Sequence, residues 1–455
     1  MSDTTAPTAL TADAVVVGSG VIGSAIALEL TRGGRSVLVL DKAAGAGHGS
    51  TSASSAVVRF MYSTFESVAT AWEAKFCWEA WSDHLGLAEV PYDERPALSR
   101  FHRTGMLHLD VPAVPREETV DLLRAVGVPF EDLDHDALLA RFPHVDGGSY
   151  WPNKPVTDDA FWEDATAGLS AVYTPDAGFM DDPRLAADNL ATAARRLGAR
   201  TAYRAEVVSA EHVGGTWRLG LADGRRVEAP VVVNAAGPWS GAFNALAGVG
   251  EEFTIGLRAL KQEVHQAARP TAWAPDAGAE LPPGVFDLDL GTYMRPGPGG
   301  VWVVGGSEPE CDPFEWLDTT ADIDAVHGPQ ADPHVTNARF EAQMMRAARR
   351  LPDLGVPNRP TGVVGVYDVA DDWQAIYDRT DAPGFYVAIG TSGNSFKNAP
   401  VSGRLVATLV EAVEEGHDHD ASPVTYVGEH TGLKIDLGAY SRKRESKASS
   451  RTVLG

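Results

Sequence analysis

One run near the N-terminus, residues 14–41, constrains the fold of this chain more than any other feature. It reads AVVVGSGVIGSAIALELTRGGRSVLVLD, in which an apolar run is followed by a glycine turn, a continuous apolar segment and a second apolar run ending on Asp41. This order predicts a strand, a helix and a second strand. Three glycines between the first strand and the helix have the spacing G-x-G-x-x-G: Gly18, Gly20 and Gly23.

The three glycines and the terminal acid suit a dinucleotide. Gly18 allows the tight turn, Gly20 lets the backbone approach a pyrophosphate at the helix N-terminus, and Gly23 lets the helix pack close to the strand. An acid at the position of Asp41 accepts the hydroxyls of an adenosine ribose and disfavours a 2′-phosphate. We therefore predict a nucleotide-binding β–α–β unit, with a glycine-rich buried helix as the alternative. The motif alone does not separate NAD from FAD.

Length and composition bound the class of protein. The chain has 455 residues, 44% of them hydrophobic, which predicts a globular protein of two domains. Its two cysteines, Cys77 and Cys311, exclude a disulfide framework and a cysteine zinc site, and they indicate a reducing compartment. No histidine and acid cluster has the spacing of a metal site. Because we find neither a signal peptide nor an apolar run long enough to span a bilayer, we expect a cytoplasmic protein that does not bind membranes.

The net charge of −24 restricts the partners that the chain can bind. A field of that sign repels nucleic acid and anionic lipid, and it disfavours anionic substrates unless local cations capture them. The last stretch, residues 434–455, is an exception because it is basic and lacks an apolar pattern. It predicts a flexible tail that docks on the acidic body of a neighbouring subunit, so a homo-oligomer is left open.

Four further motifs follow along the chain. AVVRFMY, residues 56–62, sets Arg59 in an apolar run, where a buried arginine needs an anionic partner. DDPRL, residues 181–185, has the form of a helix start. VVVNAAGPWS, residues 231–240, is typical of a buried strand that opens into a turn of small residues. GTSGNSFK, residues 390–397, is a second glycine turn between a predicted strand and a predicted helix.

In this order, the motifs resemble those of the FAD-dependent D-amino-acid oxidase superfamily, and within it the sarcosine oxidases and glycine oxidase. The similarity extends over roughly residues 14–413. It implies an α/β fold in which a Rossmann-like FAD-binding domain of the glutathione-reductase type carries an inserted α+β substrate domain built on an antiparallel sheet. The FAD-binding domain is then expected at residues 11–90, 155–255 and 360–425, and the substrate domain at residues 91–154 and 256–359.

The resemblance also implies how FAD binds, in an extended form along both glycine turns. Val207 would contact the adenine, and the helix that follows Lys397 would point its positive end at the N1/C2=O edge of the flavin. The complete set of implied cofactor-binding residues is Gly18, Gly20, Val21, Ile22, Gly23, Asp41, Lys42, Ser50, Thr51, Ser52, Val207, Ala236, Gly237, Trp239, Gly365, Gly393, Asn394, Ser395, Phe396 and Lys397.

The implied reaction is FAD-dependent oxidation of the C–N bond of a small amino acid or N-methyl amino acid to an imine, which water then hydrolyses. A hydride passes to flavin N5, and O₂ or another electron acceptor reoxidises the flavin. The resemblance assigns Arg59 and Lys397 to the substrate carboxylate, and Tyr293 and Tyr367 to the wall of the substrate pocket. The alternative roles are an internal ion pair for Arg59, a surface position for Lys397 and core packing for the tyrosines.

Two positions depart from the sarcosine oxidase pattern. Gly365 stands where monomeric sarcosine oxidases carry a flavin-linking cysteine, so we expect non-covalent FAD, with attachment through His48 as the alternative. Val303 stands where they carry an oxygen-activating lysine, so we expect slow reaction with O₂.

Two other functions stay open at this point. One is a 2-hydroxy acid oxidase or dehydrogenase of the same superfamily, which would need a general base for the hydroxyl group. The other is a non-catalytic flavin-binding subunit that works only within a larger complex.

Overall fold

The structure is a computed structural model that describes residues 9–273, 275 and 281–446. Its described part contains ten α-helices: α1 (Val21–Arg32), α2 (Phe65–Glu79), α3 (Trp81–His84), α4 (Arg116–Val126), α5 (His135–Arg141), α6 (Pro183–Arg196), α7 (Ser240–Ala247), α8 (Thr320–His327), α9 (Asn337–Arg350) and α10 (Ala399–Glu414).

The strands of the described residues follow one another in chain order as β1 (Leu10–Thr11), β2 (Ala14–Val17), β3 (Val37–Asp41), β4 (Val57–Val58), β5 (Phe101–Arg103), β6 (Met106–Leu109), β7 (Glu131–Leu133), β8 (Gly148–Ser149), β9 (Ala167–Gly168), β10 (Ala171–Thr174), β11 (Gly178–Met180), β12 (Arg200–Tyr203), β13 (Val207–Val213), β14 (Thr216–Leu221), β15 (Arg226–Ala229), β16 (Val231–Asn234), β17 (Leu257–Ala268), β18 (Gly284–Asp287), β19 (Thr292–Gly297), β20 (Val301–Gly306), β21 (Trp316–Leu317), β22 (Gly362–Ala370), β23 (Ile376–Arg379), β24 (Phe385–Ile389), β25 (Thr425–Val427) and β26 (Lys434–Asp436).

A six-stranded sheet carries the N-terminal motif, in the order β12-β3-β2-β16-β24-β23. Its neighbours are parallel except for β23 and β24. Helix α1 follows β2 through the glycine turn and packs against α6 and α10. A Cβ on Gly23 would lie only 2.0 Å from the carbonyl oxygen of Gly18, so only glycine lets α1 lie this close to the turn. The predicted β–α–β unit is therefore confirmed.

A nine-stranded, mostly antiparallel sheet forms the second layer, in the order β21-β17-β20-β19-β18-β6-β10-β7, with β22 paired to β17 as well. Strands β6 and β18 are its parallel pair. Helix α9 packs against β17, β19 and β20 and buries Phe340, Met344 and Ala347 there. Because side chains alternate between the faces of a strand, the face away from α9 carries the side chains that line the cavity described below.

Smaller sheets complete the fold of the described residues: β1-β15-β14-β13, β4-β11-β5, and the pairs β25-β26 and β8-β9. Two strands hydrogen-bond into the nine-stranded sheet although their predicted ranges belong to the FAD-binding domain. Strand β10 pairs with β6 and β7, and β22 pairs with β17 along its whole length. The proposed division into two domains stays a prediction.

Part of the basic C-terminal stretch, which the sequence predicts to be a flexible tail, packs against its own chain. Within residues 434–446, β26 pairs with β25 and Arg442 is fully buried. The guanidinium of Arg442 donates hydrogen bonds to three carboxylates of its own chain: Asp378, Asp381 and Asp420. Within residues 434–446 the acidic groups that bind Arg442 are therefore intramolecular, and the flexibility of the tail stays a prediction. Residues 447–455 lie outside the described residues.

Candidate active site

A cavity of about 920 Å³ is lined by residues of both large sheets. Its walls come from the carboxyl ends of β2, β3 and β16 and from the side chains of β17, β19 and β22. The turn at Ser50–Ala53, the glycine turn at residues 390–397 and the two ends of helix α8 contribute to the lining as well. Ligands of open parallel sheets bind at the carboxyl ends of the strands, so the cavity lies where the fold predicts a ligand.

Asp41 and the first glycine turn form one end of the cavity. The Asp41 carboxylate accepts hydrogen bonds from the backbone N–H groups of Ser19 at 2.6 Å and Ala43 at 2.7 Å. Burial raises the pKa of Asp41, and these two N–H groups act against that shift. The carboxylate thus fixes the end of β3 to the turn after β2, and its remaining lone pairs can accept ribose hydroxyls.

The neighbouring residues order the same end of the cavity. The Thr51 hydroxyl accepts a hydrogen bond from the backbone N–H of Val21 at 3.0 Å, which fixes the 50–53 turn at the N-terminus of α1. The backbone N–H of Ala205 donates to the carbonyl of Asp41 at 2.9 Å, so β13 and Val207 begin beside the acid. This end therefore combines a helix N-terminus, hydroxyl groups, a carboxylate and an apolar wall.

The predicted cofactor-binding residues converge on this cavity, with two exceptions. Gly23 serves helix packing, as described above, and the Ser52 hydroxyl donates to the backbone carbonyl of Gly49 at 2.9 Å. The members that line the cavity are Gly18, Gly20, Val21, Ile22, Asp41, Lys42, Ser50, Thr51, Val207, Ala236, Gly237, Trp239, Gly365, Gly393, Asn394, Ser395, Phe396 and Lys397.

These residues fit FAD. The Asp41 end offers acceptors for a ribose and helix N–H groups for a pyrophosphate, and the far end offers a lysine next to the N-terminus of α10. One continuous cavity connects the two ends, as an extended dinucleotide requires.

Arg59 and Lys397 meet at the far end, against the ring of Tyr62. The Arg59 guanidinium carbon lies 5.1 Å and the Lys397 Nζ 4.7 Å from the centroid of that ring. Both residues are buried and both line the cavity. The structure therefore brings together the two cations that the family resemblance assigns to a substrate carboxylate.

Burial makes this pair of cations electrostatically costly. It lowers the pKa of Arg59, and it lowers the pKa of Lys397 well below its ordinary value, with a further contribution from the charge of Arg59. The Arg59 guanidinium donates to the carbonyl of Met61, and the Lys397 ammonium donates to the carbonyl of Asn394. An anion in the cavity would reduce the repulsion between the two cations.

The backbone of Lys397 is held from the protein side. The indole N–H of Trp78 on α2 donates to the Lys397 carbonyl at 2.6 Å, and the Trp78 ring stacks on Phe396 at 5.6 Å. The Tyr62 hydroxyl donates to the carbonyl of Asn394, which also accepts from the lysine. These contacts fix the glycine turn and aim the lysine into the cavity.

Tyr293 and Tyr367 line the same end, and each ring lies over a glycine. A Cβ on Gly305 would lie 2.4 Å from the Tyr293 ring, and a Cβ on Gly393 would lie 2.3 Å from the Tyr367 ring. Burial raises the pKa of Tyr293 and raises that of Tyr367 well above its ordinary value. Both phenols therefore stay protonated near neutral pH and can donate hydrogen bonds.

Phe286 and His108 extend this wall, and no sequence motif indicates them. Phe286 lines the cavity, with the Arg59 guanidinium carbon 4.9 Å from its ring centroid and the His108 ring stacked at 5.1 Å. Burial, helped by the charge of Arg59, lowers the pKa of His108 to about 3, so the imidazole is neutral. His108, Phe286 and Tyr293 are neighbours in register on β6, β18 and β19, a relationship that only the strand pairing reveals.

Gln262 and Glu308 are two further residues that the sequence did not single out. Gln262 lines the cavity, and the buried Glu308 lies against its side chain. Burial raises the pKa of Glu308, whereas the Gln262 side chain lowers it. Glu308 contributes to the raised pKa of both Tyr293 and Tyr367, so its carboxyl group lies within electrostatic reach of the pocket tyrosines.

The structure also places the residues that bear on flavin attachment and on O₂. A Cβ on Gly365 would lie 2.8 Å from the Cβ of Ala53, so this position has no room for a cysteine without a shift of the 50–53 turn. His48 lines the cavity within electrostatic reach of Asp41. Val303 pairs with Arg295 and Gln266 and does not belong to the cavity lining that the described residues form. The predictions of non-covalent FAD and of slow reaction with O₂ stay predictions.

None of the helices in residues 9–273, 275 and 281–446 is both long enough and apolar enough to cross a membrane. In the same residues, no group of three or more histidines, cysteines or acids is arranged to hold a metal ion.

Comparison with known proteins agrees with this geometry. A family model described as FAD dependent oxidoreductase, DAO, matches residues 13–409. The chain is 24% identical over 431 residues to FAD-dependent oxidoreductase domain-containing protein 1 of Xenopus laevis, which covers 88% of this chain and 79% of that relative. Among solved structures, it is similar to L-proline dehydrogenase from P. horikoshii, with 20% identity, a TM-score of 0.70 and coverage of 96% and 98% of the two chains. It is also similar to glycine oxidase from Geobacillus kaustophilus, with 23% identity, a TM-score of 0.66 and coverage of 90% and 98%.

The fold and the family match define a flavoenzyme. Because the family model covers most of the chain, the protein belongs to the DAO family of FAD-dependent oxidoreductases. The predicted family, α/β fold class and FAD cofactor are confirmed.

Proposed function

We propose that the protein oxidises the C–N bond of a small amino acid or N-methyl amino acid to an imine, with FAD bound non-covalently. The observation that carries this proposal is the convergence of Arg59 and Lys397 on the ring of Tyr62 inside the cavity. The names of two proteins with this fold, glycine oxidase and L-proline dehydrogenase, denote amino-acid substrates.

Arg59 and Lys397 bind the substrate carboxylate in this proposal. The guanidinium is a planar donor that can engage both carboxylate oxygens, and the ammonium is a compact second charge. A bound carboxylate would raise the lowered pKa of Lys397, so the lysine would be charged when substrate is present. The anchored carboxylate then fixes which atoms of the substrate face the flavin.

Besides the two cations, the pocket contains a hydrogen-bond acceptor that suits the amine of the substrate. Gln262, with the buried Glu308 against its side chain, offers an amide oxygen as acceptor for an amine N–H. Tyr293 and Tyr367 are protonated donors and do not serve as bases. The substrate amine must therefore bind as the free base, or lose its proton to a group other than these two tyrosines.

FAD, when bound, supplies the acceptor for the hydride that leaves the carbon next to the amine nitrogen. The residues of the chain hold that carbon in position and narrow the pocket with the rings of Phe286, Tyr293 and Tyr367. The imine product is then hydrolysed by water to a carbonyl compound and an amine or ammonia. O₂ or another electron acceptor completes the cycle.

The overall charge favours a zwitterion over other carboxylates. A protein of net charge −24 repels a simple anion, whereas a molecule with both a carboxylate and an ammonium group has no net charge. An amine without a carboxylate would leave Arg59 and Lys397 unused and should bind poorly.

A cytoplasmic location belongs to the same proposal, because Cys77 and Cys311 are free thiols and no disulfide joins them.

Anaerobic flavin reduction tests the proposal directly. The purified protein is mixed without O₂ with a panel of amino acids, N-methyl amino acids, the corresponding decarboxylated amines and 2-hydroxy acids. We expect the flavin absorbance to bleach with at least one amino acid or N-methyl amino acid and not with its decarboxylated amine. Bleaching by a 2-hydroxy acid alone would identify the alternative oxidase, and a flavin that no compound reduces would favour a non-catalytic subunit.

A further inference from the structure

Helix α8 makes an unexpected contact with the six-stranded sheet. It belongs to the chain between β21 and α9, yet its Asp324 carboxylate accepts hydrogen bonds from Lys42 Nζ at 2.6 Å and from Trp239 Nε1 at 2.9 Å. Lys42 follows β3 and Trp239 follows β16. The Lys42 ammonium also lies 3.9 Å from the centroid of the Trp239 ring. These three residues, which we name the α8 latch, form one cluster of mutual contacts.

The position of the latch puts α8 across the cavity that fits FAD. Lys42 and Trp239 line that cavity, and so do Thr320 at the start of α8 and His327 at its end. The two residues that follow the helix, Gly328 and Pro329, line it as well. The two ends of the helix therefore form part of the cavity wall, and the latch connects its middle to the sheet that holds the glycine turn.

His327 is a second, independent sign that α8 has a ligand. It lines the cavity, and a hydrogen bond to the backbone of Gly49 acts on its imidazole, whereas its Nε2 is buried with no hydrogen-bond partner among the described residues. Burial also lowers the pKa of its imidazole, so the ring is neutral and carries one donor and one acceptor nitrogen. Buried polar atoms in folded proteins are nearly always hydrogen-bonded, so a partner from a ligand would satisfy this nitrogen.

We propose that α8 is an additional FAD-binding element of this chain, held closed over the cofactor by the Lys42–Asp324–Trp239 latch and contacting FAD through His327. The proposal rests on the family's cofactor and does not depend on the identity of the substrate. The family resemblance implies that Lys42 binds FAD directly. In this proposal Lys42 instead holds α8 in place over the cofactor.

The exposure of the latch sets the size of the expected effect. The side chains of Lys42 and Asp324 are 20% and 42% exposed, so solvent screens part of their attraction. Asp324→Asn keeps one side-chain oxygen as an acceptor but removes the negative charge that attracts the Lys42 ammonium and strengthens both hydrogen bonds. If α8 must open before FAD can leave, we expect FAD to dissociate about tenfold faster without the latch.

The test measures the rate of FAD dissociation from the holoprotein by the recovery of flavin fluorescence after dilution. The variants are Asp324→Asn, His327→Ala and the control Asp318→Asn, which makes the same charge change in an exposed pair with Arg258 just before α8. We expect faster dissociation for Asp324→Asn and His327→Ala and the wild-type rate for Asp318→Asn. We also expect the wild-type rate, but not that of Asp324→Asn, to rise with salt.

The other outcomes are equally informative. If Asp324→Asn releases FAD at the rate of Asp318→Asn, the latch does not hold a cover and the proposal is wrong. If Asp324→Asn unfolds, as circular dichroism of the apoprotein would report, His327→Ala decides the matter because it leaves the latch intact. An unchanged FAD dissociation rate in His327→Ala would then overturn the proposal.

Discussion

Arg59 and Lys397 come from opposite ends of the chain and contact one ring, that of Tyr62, at 5.1 and 4.7 Å from its centroid. Arg59 follows strand β4, and Lys397 lies in the turn before α10. The ring and the surrounding protein exclude water from both cations, which lowers the pKa of each. This relationship is the basis of the proposed carboxylate site.

The lowered pKa of Lys397 predicts how binding of a simple carboxylate depends on pH. Acetate stays ionised above about pH 6 and should bind while Lys397 is protonated. As pH rises through the lowered pKa of Lys397, the ammonium loses its proton and the affinity for acetate should fall. The neighbouring tyrosines have raised pKa values and that of His108 is about 3, so none of them titrates in this window.

Spectral titration of the bound flavin with acetate at several pH values measures this effect. In Lys397→Met we expect weaker binding, by about tenfold, and no fall in affinity over the same pH range. An acetate affinity that falls with pH equally in the wild type and in Lys397→Met would assign the titration to another group.

The contact of Tyr293 with Gly305 predicts that a single methyl group disturbs the pocket. In Gly305→Ala the new Cβ would lie 2.4 Å from the tyrosine ring, so the ring must move. We expect kcat/KM to fall by about tenfold while FAD stays bound, because misplacement of a pocket group reduces productive orientation. Gly241→Ala is the control, since a Cβ there meets open space in α7. Equal kinetics for the two variants would mean that Tyr293 does not shape the pocket.

FAD should leave the protein on denaturation. Gly365 offers no thiol, and the close approach of Ala53 leaves no space for one. Acid precipitation should therefore release the yellow colour into the supernatant. Colour that stays in the pellet would show covalent attachment, and peptide mass analysis should then be directed at His48.

Arg442 should be important for stability even though it lies near the end of the chain. Arg442→Ala leaves the buried carboxylate of Asp378 without its cation, so we expect the free energy of unfolding to fall by about 3–5 kcal/mol. The adjacent Lys443, whose side chain is 41% exposed, forms ion pairs with Asp381 and Asp420. Lys443→Ala should change the free energy of unfolding by less than about 1 kcal/mol. Urea unfolding of both variants measures the difference, and similar midpoints would contradict the docked arrangement.

The features that the sequence predicted best are local ones. The strand, glycine turn, helix and second strand of residues 14–41 are consecutive, so their spacing specifies the geometry of the turn. The same holds for the second glycine turn, where Gly393 to Lys397 line the cavity as a continuous segment. Arg59 could be predicted because a charged residue in an apolar run is conspicuous.

The features that the sequence did not predict depend on contacts between distant segments. Phe286 and Gln262 reach the cavity through strand register, and α8 reaches it through Thr320 and His327 at its two ends. The sequence also did not predict every local backbone conformation. Residues 201–211, TAYRAEVVSAE, contain no glycine or proline to mark a break, but Arg204 adopts a positive φ of 51° and divides them into β12 and β13, which lie in different sheets.

The central claim is that Arg59 binds the carboxylate of an amino-acid substrate, and one comparison tests it most directly. The rate of anaerobic flavin reduction is measured for the best amino acid and for its decarboxylated amine, in the wild type, Arg59→Ala and Arg59→Lys. We predict that Arg59→Ala lowers kcat/KM for the amino acid about 30-fold or more, with partial recovery in Arg59→Lys, while the slow reaction of the amine hardly changes and FAD stays bound. An equal loss for both compounds, a loss of FAD, or near-normal kcat/KM in Arg59→Ala would contradict the account.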